Sequence, residues 1–417
     1  MKRIAGLLLL AMATAAGLAQ TPSASAQKLS PAERSMAQAR KLIEKNPNDF
    51  EAYNSLALAF SRRARETSNV AFYREGEEAL QKSFAISPDN FDGQRIRVWL
   101  LLGKHEFAAA LEAAKELNRK LPDDVMVYGF LTDANVELGN YKEAETAAQW
   151  MLDLKPGNMP GLTRAAYLRE LLGDIDGAMD LMNMAYQSIP PSEVEDAAWI
   201  VTQMAHLDLS IGKIDEAEKL SQQALLMFPG YHYALGNLAK VRIQQKRYDE
   251  AVELLRQRYQ AAPHAENLFD LARALQWAGH REEALTAFAE FEQKSLLETN
   301  RADNSNHELI FYYADYAKQP AKALEVAQRE YARRHDVFTT DCYAWALGLN
   351  NRNQEGLNQI TAALAVGIQD AQLFRHAGEI RLAAGDHASA ERYLRQSAEL
   401  NTSESEQARI ALARLLK

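Results

Sequence analysis

The sequence holds one cysteine, Cys342, in 417 residues. No disulfide can close within the chain, and zinc sites built on several cysteines are excluded. Glycine (20) and proline (12) are both scarce, which argues against sandwiches, barrels and collagen-like repeats. Basic charge is short as well: 47 Lys and Arg against 56 Asp and Glu give a net −9. A surface that neutralises phosphates needs the opposite balance, so nucleic acid is not an expected partner. An anionic membrane surface is disfavoured for the same reason. Beyond residue 26 no apolar run reaches the ~20 residues of a bilayer span. What is abundant is alanine, 70 residues, within 47% hydrophobic and 25% charged residues. That is the balance of a folded, helical protein.

The first 26 residues read as an export leader. Met1–Arg3 is a short positive region, and Ile4–Ala19 is apolar with four leucines in a row, Leu7 to Leu10. Ala24-Ser25-Ala26 then offers a small-x-small cleavage site before Gln27. The apolar run is too short for a span, and no cysteine follows it. Cleavage after Ala26 removes Lys2 and Arg3 and leaves a mature charge of −11. The expected location is the periplasm or the exterior, with no membrane span after cleavage.

The remaining chain repeats. Pro88, Pro122, Pro156 and Pro190 are each 34 residues apart, and Pro229 and Pro263 keep the interval. Pro47 to Pro88 and Pro190 to Pro229 are the same unit with insertions of seven and five residues. Gly139 and Gly173 lie 17 after a proline; Ala110, Ala144, Ala178 and Ala251 lie 22 after one; Phe107, Tyr141 and Tyr248 lie 19 after one. Removing the five-residue insertion brings Gly212 and Ala217 into phase. Proline stops or starts a helix. Glycine at phase 17 ends one helix in a left-handed conformation. Alanine at phase 22 lets two helices approach, and the apolar phases follow helical spacing.

Leu138-Gly139-Asn140-Tyr141-Lys142-Glu143-Ala144 resembles the inter-helix turn of the tetratricopeptide repeat family. Ile211-Gly212-Lys213-Ile214-Asp215-Glu216-Ala217 and Lys246-Arg247-Tyr248-Asp249-Glu250-Ala251 match it too. The resemblance implies an all-α fold, an α-α superhelix of about ten helix-turn-helix units with a capping helix at each end. The expected boundaries are a leader at 1–26, a capping helix within 27–47, and units one to seven over 48–299. A polar interruption follows at 300–306, then divergent units eight to ten over 307–402 and a final capping helix within 403–417. Ser30-Pro31-Ala32-Glu33 supplies the first helix with an N-cap, a proline at N1 and a glutamate at N3.

No constellation for catalysis stands out. Gly-x-Ser-x-Gly, HExxH and a Gly-rich phosphate loop are all missing from the sequence. Asp174-Ile175-Asp176-Gly177 lacks the later ligands of a calcium loop. His376 and Glu379, and His206 and Asp208, read as packed or hydrogen-bonded pairs, and Cys342 as a small buried residue. The chain therefore reads as a non-enzyme without metal or cofactor. Asn300–Glu308 is the one polar cluster outside the pattern. It reads first as a solvated turn with an Asn/Ser N-cap. A ligand- or metal-binding site near Asp303–Glu308, or a self-assembling structural component, is the alternative.

In the resembled family the first helix of each unit lines a concave, partner-binding face. Phase assigns to it Arg95, Asp133, Glu137, Tyr167, Glu170, Trp199, His206, Tyr233, Lys240, Gln244, Asp270 and Trp277. Trp99 shares the phase, but its unit carries Gly103 out of register and a core position is expected for it. The aromatics suit interface anchors or core in equal measure. Arg95 and Lys240 stand apart among acids, a poor match to a clamp for a terminal carboxylate. The expected function is a scaffold in the cell envelope that holds a protein or peptide in its groove.

Overall fold

The computed structural model describes residues 29–67, 69–302, 304–402 and 404–416. The expected leader, Asp303 and Ser403 lie outside them. The described residues form twenty-two α-helices and no strand. Helix α1 (Pro31–Lys45) starts on the full capping box, with Ser30 and Glu33 bonding each other's backbone N–H. Ten hairpins follow: α2 (Phe50–Thr67) with α3 (Ala71–Ile86), α4 (Phe91–Gly103) with α5 (Phe107–Lys120), and α6 (Val125–Glu137) with α7 (Tyr141–Leu154). Next come α8 (Met159–Leu171) with α9 (Ile175–Ser188), α10 (Val194–Ser210) with α11 (Ile214–Met227), and α12 (His232–Gln244) with α13 (Tyr248–Ala261). The last are α14 (Ala265–Trp277) with α15 (Arg281–Glu298), α16 (Asn306–Phe311) with α17 (Pro320–Tyr331), α18 (Val337–Leu349) with α19 (Asn353–Leu364), and α20 (Ala371–Ala383) with α21 (His387–Glu399). Helix α22 (Ser405–Leu415) closes the array. Only α16 departs from the plan, passing through a π turn at Tyr312–Tyr316.

The sequence period has a direct structural meaning. Pro88, Pro122, Pro156, Pro190, Pro229 and Pro263 each lie two residues past the end of a second helix. Ala110, Ala144, Ala178, Ala217 and Ala251 are fully buried where the hairpin partners cross. Gly139, Gly173, Gly212, Gly279 and Gly385 hold φ between +74° and +85° at the turns. There the chain reverses through bonds such as Gly139 N–H to Val136 C=O, 3.0 Å, and Asn140 N–H to Asn135 C=O, 2.8 Å.

The superhelix closes on itself every five units. A Cβ placed on Gly139 in unit three would meet the His335 carbonyl, from the connector after unit eight, at 2.6 Å. For Gly173 in unit four the neighbour is the Gly367 carbonyl after unit nine, at 2.5 Å. For Gly212 in unit five it is the Leu400 carbonyl after unit ten, at 2.7 Å. His335 N–H donates to Glu137 C=O (3.2 Å), and the Tyr141 hydroxyl accepts from Val337 N–H at 2.7 Å. Unit one closes over four and five units: the Arg65 guanidinium pairs with Glu195 and Asp196 of α10 in unit five, and the Arg65 carbonyl lies 3.1 Å from His232 Nε2 in unit six. Glu195 in turn accepts from the Tyr231 hydroxyl at 2.7 Å. The second half of the array is thus stacked on the first, and the concave face becomes an interior.

A closed interior

The inner face carries two neighbouring cavities that share His105. The first, about 250 Å³, is lined by Leu102, His105, Phe107, Thr132, Asp133, Val136, Glu137, Arg164 and Tyr167. The second, about 240 Å³, is lined among others by Arg62, Arg65, Tyr73, Trp99, Tyr233, His264, Glu266 and Asn304. Unit two faces unit seven across the second cavity, at the same five-unit offset. His105, with φ +59°, occupies phase 17, where units three, four and five have glycine and unit six has Lys246. A histidine in that left-handed well is strained relative to glycine. It is held by stacking on Phe107, with ring centroids 5.3 Å apart. Burial lowers His105 to about 4, and the positive charge of Arg334 and then His264 add to the shift.

Ion pairs tie the cavity walls together. Arg164 clamps both carboxylate oxygens of Asp133, Nε at 2.8 Å and Nη2 at 2.5 Å. Arg334 reaches across from unit eight, its Nη1 3.3 Å from Glu137 and its Nε 3.1 Å from Asp336. Burial nonetheless pushes the Glu137 carboxyl up to about 7: Arg334 pulls it down, while Asp336, Asp133 and Glu330 push it up. Burial likewise raises Tyr167, which keeps 36% of its surface open to the cavity. Farther along, burial lifts Glu308 to about 8, with Glu266 the next contributor. Burial and then Arg334 lower His307 to about 3. His307 Nε2 sits 2.8 Å from the Thr339 hydroxyl.

Phase placed the inward positions unevenly. Asp133, Glu137 and Tyr167 meet in the first cavity, and Tyr233 lines the second. Trp99, for which a core position was expected, also lines the second, packing edge-on against Phe130 at 6.0 Å. The expected core contact is present, since Trp99 is half-buried against the cluster of Val98, Ala110 and Phe130; α4 ends at Gly103 and the turn falls on His105. Glu170 and His206 pair at 2.7 Å outside both cavities. Asp270 pairs with Arg258 at 2.5 Å, and Trp277 lies under the Arg273 guanidinium at 4.9 Å. Arg95 joins Asp92 (2.6 Å) to Asp124 (2.7 Å), the N-cap of α6, away from the cavities. Trp199 is half-buried between two core clusters, Lys240 is exposed and Gln244 half-buried.

Of the polar run at 300–308, Asn300 and Arg301 are exposed, whereas Ser305 and Asn306 are buried. Asn304 lines the second cavity, and Asn304 and Asn306 both donate to Glu330, at 3.2 and 2.8 Å. His376 is fully buried in the core: its Nδ1 lies 2.8 Å from Asp341, and Trp345 stacks on its ring at 4.5 Å. Cys342 is buried and far above the ordinary thiol range, because burial disfavours its thiolate. Position 105 lies 17 after Pro88. A non-glycine at that phase does not by itself mark the site, since Lys246 holds the same phase and lines neither cavity. Arg65 left no signal either.

Residues 208–266 match the family model described as tetratricopeptide repeat. Over that stretch the chain carries tetratricopeptide repeats. Its architecture is similar to that of human IFIT1 in the dimer with m7Gppp-AAAA, at 14% identity and a TM-score of 0.51, covering 88% of this chain and 85% of that one. Yeast Tom70 matches at 13% identity and TM-score 0.41, covering 92% and 95%. PilW, a type IV pilus biogenesis factor, matches at 13% and 0.42, covering 49% of this chain and 92% of its own. These likenesses concern the fold of the repeat array alone. No curated protein matches this chain in sequence. No tetratricopeptide helix among the described residues is long and apolar enough to cross a membrane.

Proposed function

We propose that this tetratricopeptide array is a non-enzymatic, exported scaffold that holds a short peptide segment of a protein partner in its interior. The observation that carries the reading is the convergence of Phe107, Trp99, Tyr167, Tyr73 and Tyr233 with paired charges on two adjoining cavities. Rigid aromatic anchors beside polar groups are the composition of interface hot spots. Each cavity is smaller than the about 300–1,000 Å³ of a small-molecule site. That size suits one or two side chains of an extended segment better than a folded domain or a whole helix. The leader at 1–26 supports a location in the cell envelope or beyond, which makes envelope proteins the partners to test. Several of the lining charges are engaged in ion pairs that fasten the array, as Asp133 with Arg164 and Arg65 with Glu195 and Asp196.

Capture from envelope extracts tests the reading. The protein is compared with a Trp99/Tyr167/Tyr233→Ala variant, whose three rings line the cavities, that retains its helical circular dichroism. The variant is expected to lose the partner; equal recovery of the same protein by both would refute binding in the interior.

A further inference from the structure

One of the chain's own cations packs against the wall of the first cavity. Arg334 comes from the second half of the array, lies over the Phe107 ring at 5.8 Å and approaches Glu137 Oε2 at 3.3 Å. We infer that the open space beside it receives a second cation, a lysine or arginine side chain of the bound segment; this rests on the reading of the interior as a peptide site.

Three features define the seat. Leu102, Phe107 and Val136 form an apolar wall suited to the methylene stem of a basic side chain. The Glu137 carboxylate is held by Arg334 at 3.3 Å, and it lines the same space as Tyr167, which keeps 36% of its surface exposed. A carboxylate beside an aromatic face is the pairing that holds ammonium and guanidinium groups. Finally, the local charge is unbalanced. Glu137, Glu330 and Asp336 all lie within 3.6 Å of the one Arg334 guanidinium. Asp133 is already matched by Arg164. The groups facing Glu137 are Arg334, Asp336, Asp133, Glu330, Tyr167, Arg164 and His105, with Arg333 a further 3.7 Å partner of Glu330; the four carboxylates outnumber the three guanidiniums by one, and that one is what an entering cation meets. The raised Glu137 agrees with this geometry, because an added positive charge would let it give up its proton.

The test titrates the purified protein by calorimetry with Nα-acetyl-lysine methylamide, its arginine counterpart, the neutral norleucine isostere and cadaverine, at fixed ionic strength. The lysine and arginine probes are expected to bind and norleucine to bind roughly tenfold or more weakly. Glu137→Gln is expected to weaken the basic probes by a similar factor and to abolish proton release on binding at pH 7, read from buffers of different ionisation heat. Tyr167→Leu keeps the apolar bulk and removes the aromatic face, so it decides the matter if the first variant fails to fold. Equal binding of norleucine, or basic-probe binding unchanged in the folded variants, overturns the cation seat and leaves peptide capture in the interior standing. Tighter binding of cadaverine than of the lysine probe overturns the peptide as its source. Loss of partner capture with cation binding intact would instead separate the two claims in favour of this one.

Discussion

Gly173 offers a measurement of the five-unit closure with a control built into the same array. Gly173 and Gly279 occupy equivalent turns, and each has φ +83°. Replacing either with alanine puts a Cβ into the left-handed well, a cost of about 1–2 kcal/mol. The surroundings differ. A Cβ on Gly279 meets nothing within 4 Å, whereas on Gly173 it lies 2.5 Å from the Gly367 carbonyl. The neighbour is backbone, so relief requires unit nine to move away from unit four by roughly half an ångström. Overpacking of this kind costs about 1–3 kcal/mol more. Gly173→Ala is therefore expected to destabilise by about 2–5 kcal/mol and Gly279→Ala by about 1–2. Urea unfolding of both variants gives the difference, with small-angle scattering to report any opening of the stack. Because arrays can unfold in parts, the midpoints are followed by circular dichroism and by tryptophan emission together. Equal destabilisation within about 0.5 kcal/mol, with unchanged scattering, would refute the turn-to-turn contact.

Other expectations follow from the same closure and its charges. Arg65→Ala removes the cation facing Glu195, which is only 6% exposed, and should cost about 2–3 kcal/mol in urea unfolding. Glu195→Gln keeps an acceptor for Tyr231 and should cost less. Glu308 titrates near 8 in the folded protein, above its unfolded value, so its contribution is fully present below the unfolded value and is lost as pH rises to 8. Relative to wild type, Glu308→Gln should gain stability from pH 5 to pH 8, checked by melting at both; a pH-independent difference would contradict this. The histidines act in the opposite sense: lowered to about 4, His105 and His232 favour the folded state above the unfolded histidine range and lose that contribution as pH falls.

How much of this was legible in the sequence depends on distance along the chain. Proline phase, the glycine turns and the buried alanines are local, and they located hairpins to within a residue or two. The inward face was legible where units keep strict phase, as at Asp133, Glu137 and Tyr167. At Trp99 the expected core contact is there, and what the sequence did not show is that the same ring also reaches the second cavity. The closure was not legible. Arg65 meets Glu195 across 130 residues, and Tyr141 meets Val337 across 196. Superhelical pitch sums small rotations over five units, and no single position encodes it. Asn304 and Asn306 looked like a solvated turn for the same reason: the wall that buries Asn306 and Glu330 comes from packing, not from neighbours in sequence.

The claim that the interior holds the partner is tested most directly by site-specific photo-crosslinking. A benzophenone side chain is placed at Tyr233, in the second cavity, or at Trp150, half exposed on a second helix. The account predicts that the Tyr233 probe forms a covalent adduct with the captured envelope protein and that the Trp150 probe does not. An adduct at Trp150 with none at Tyr233 would contradict it.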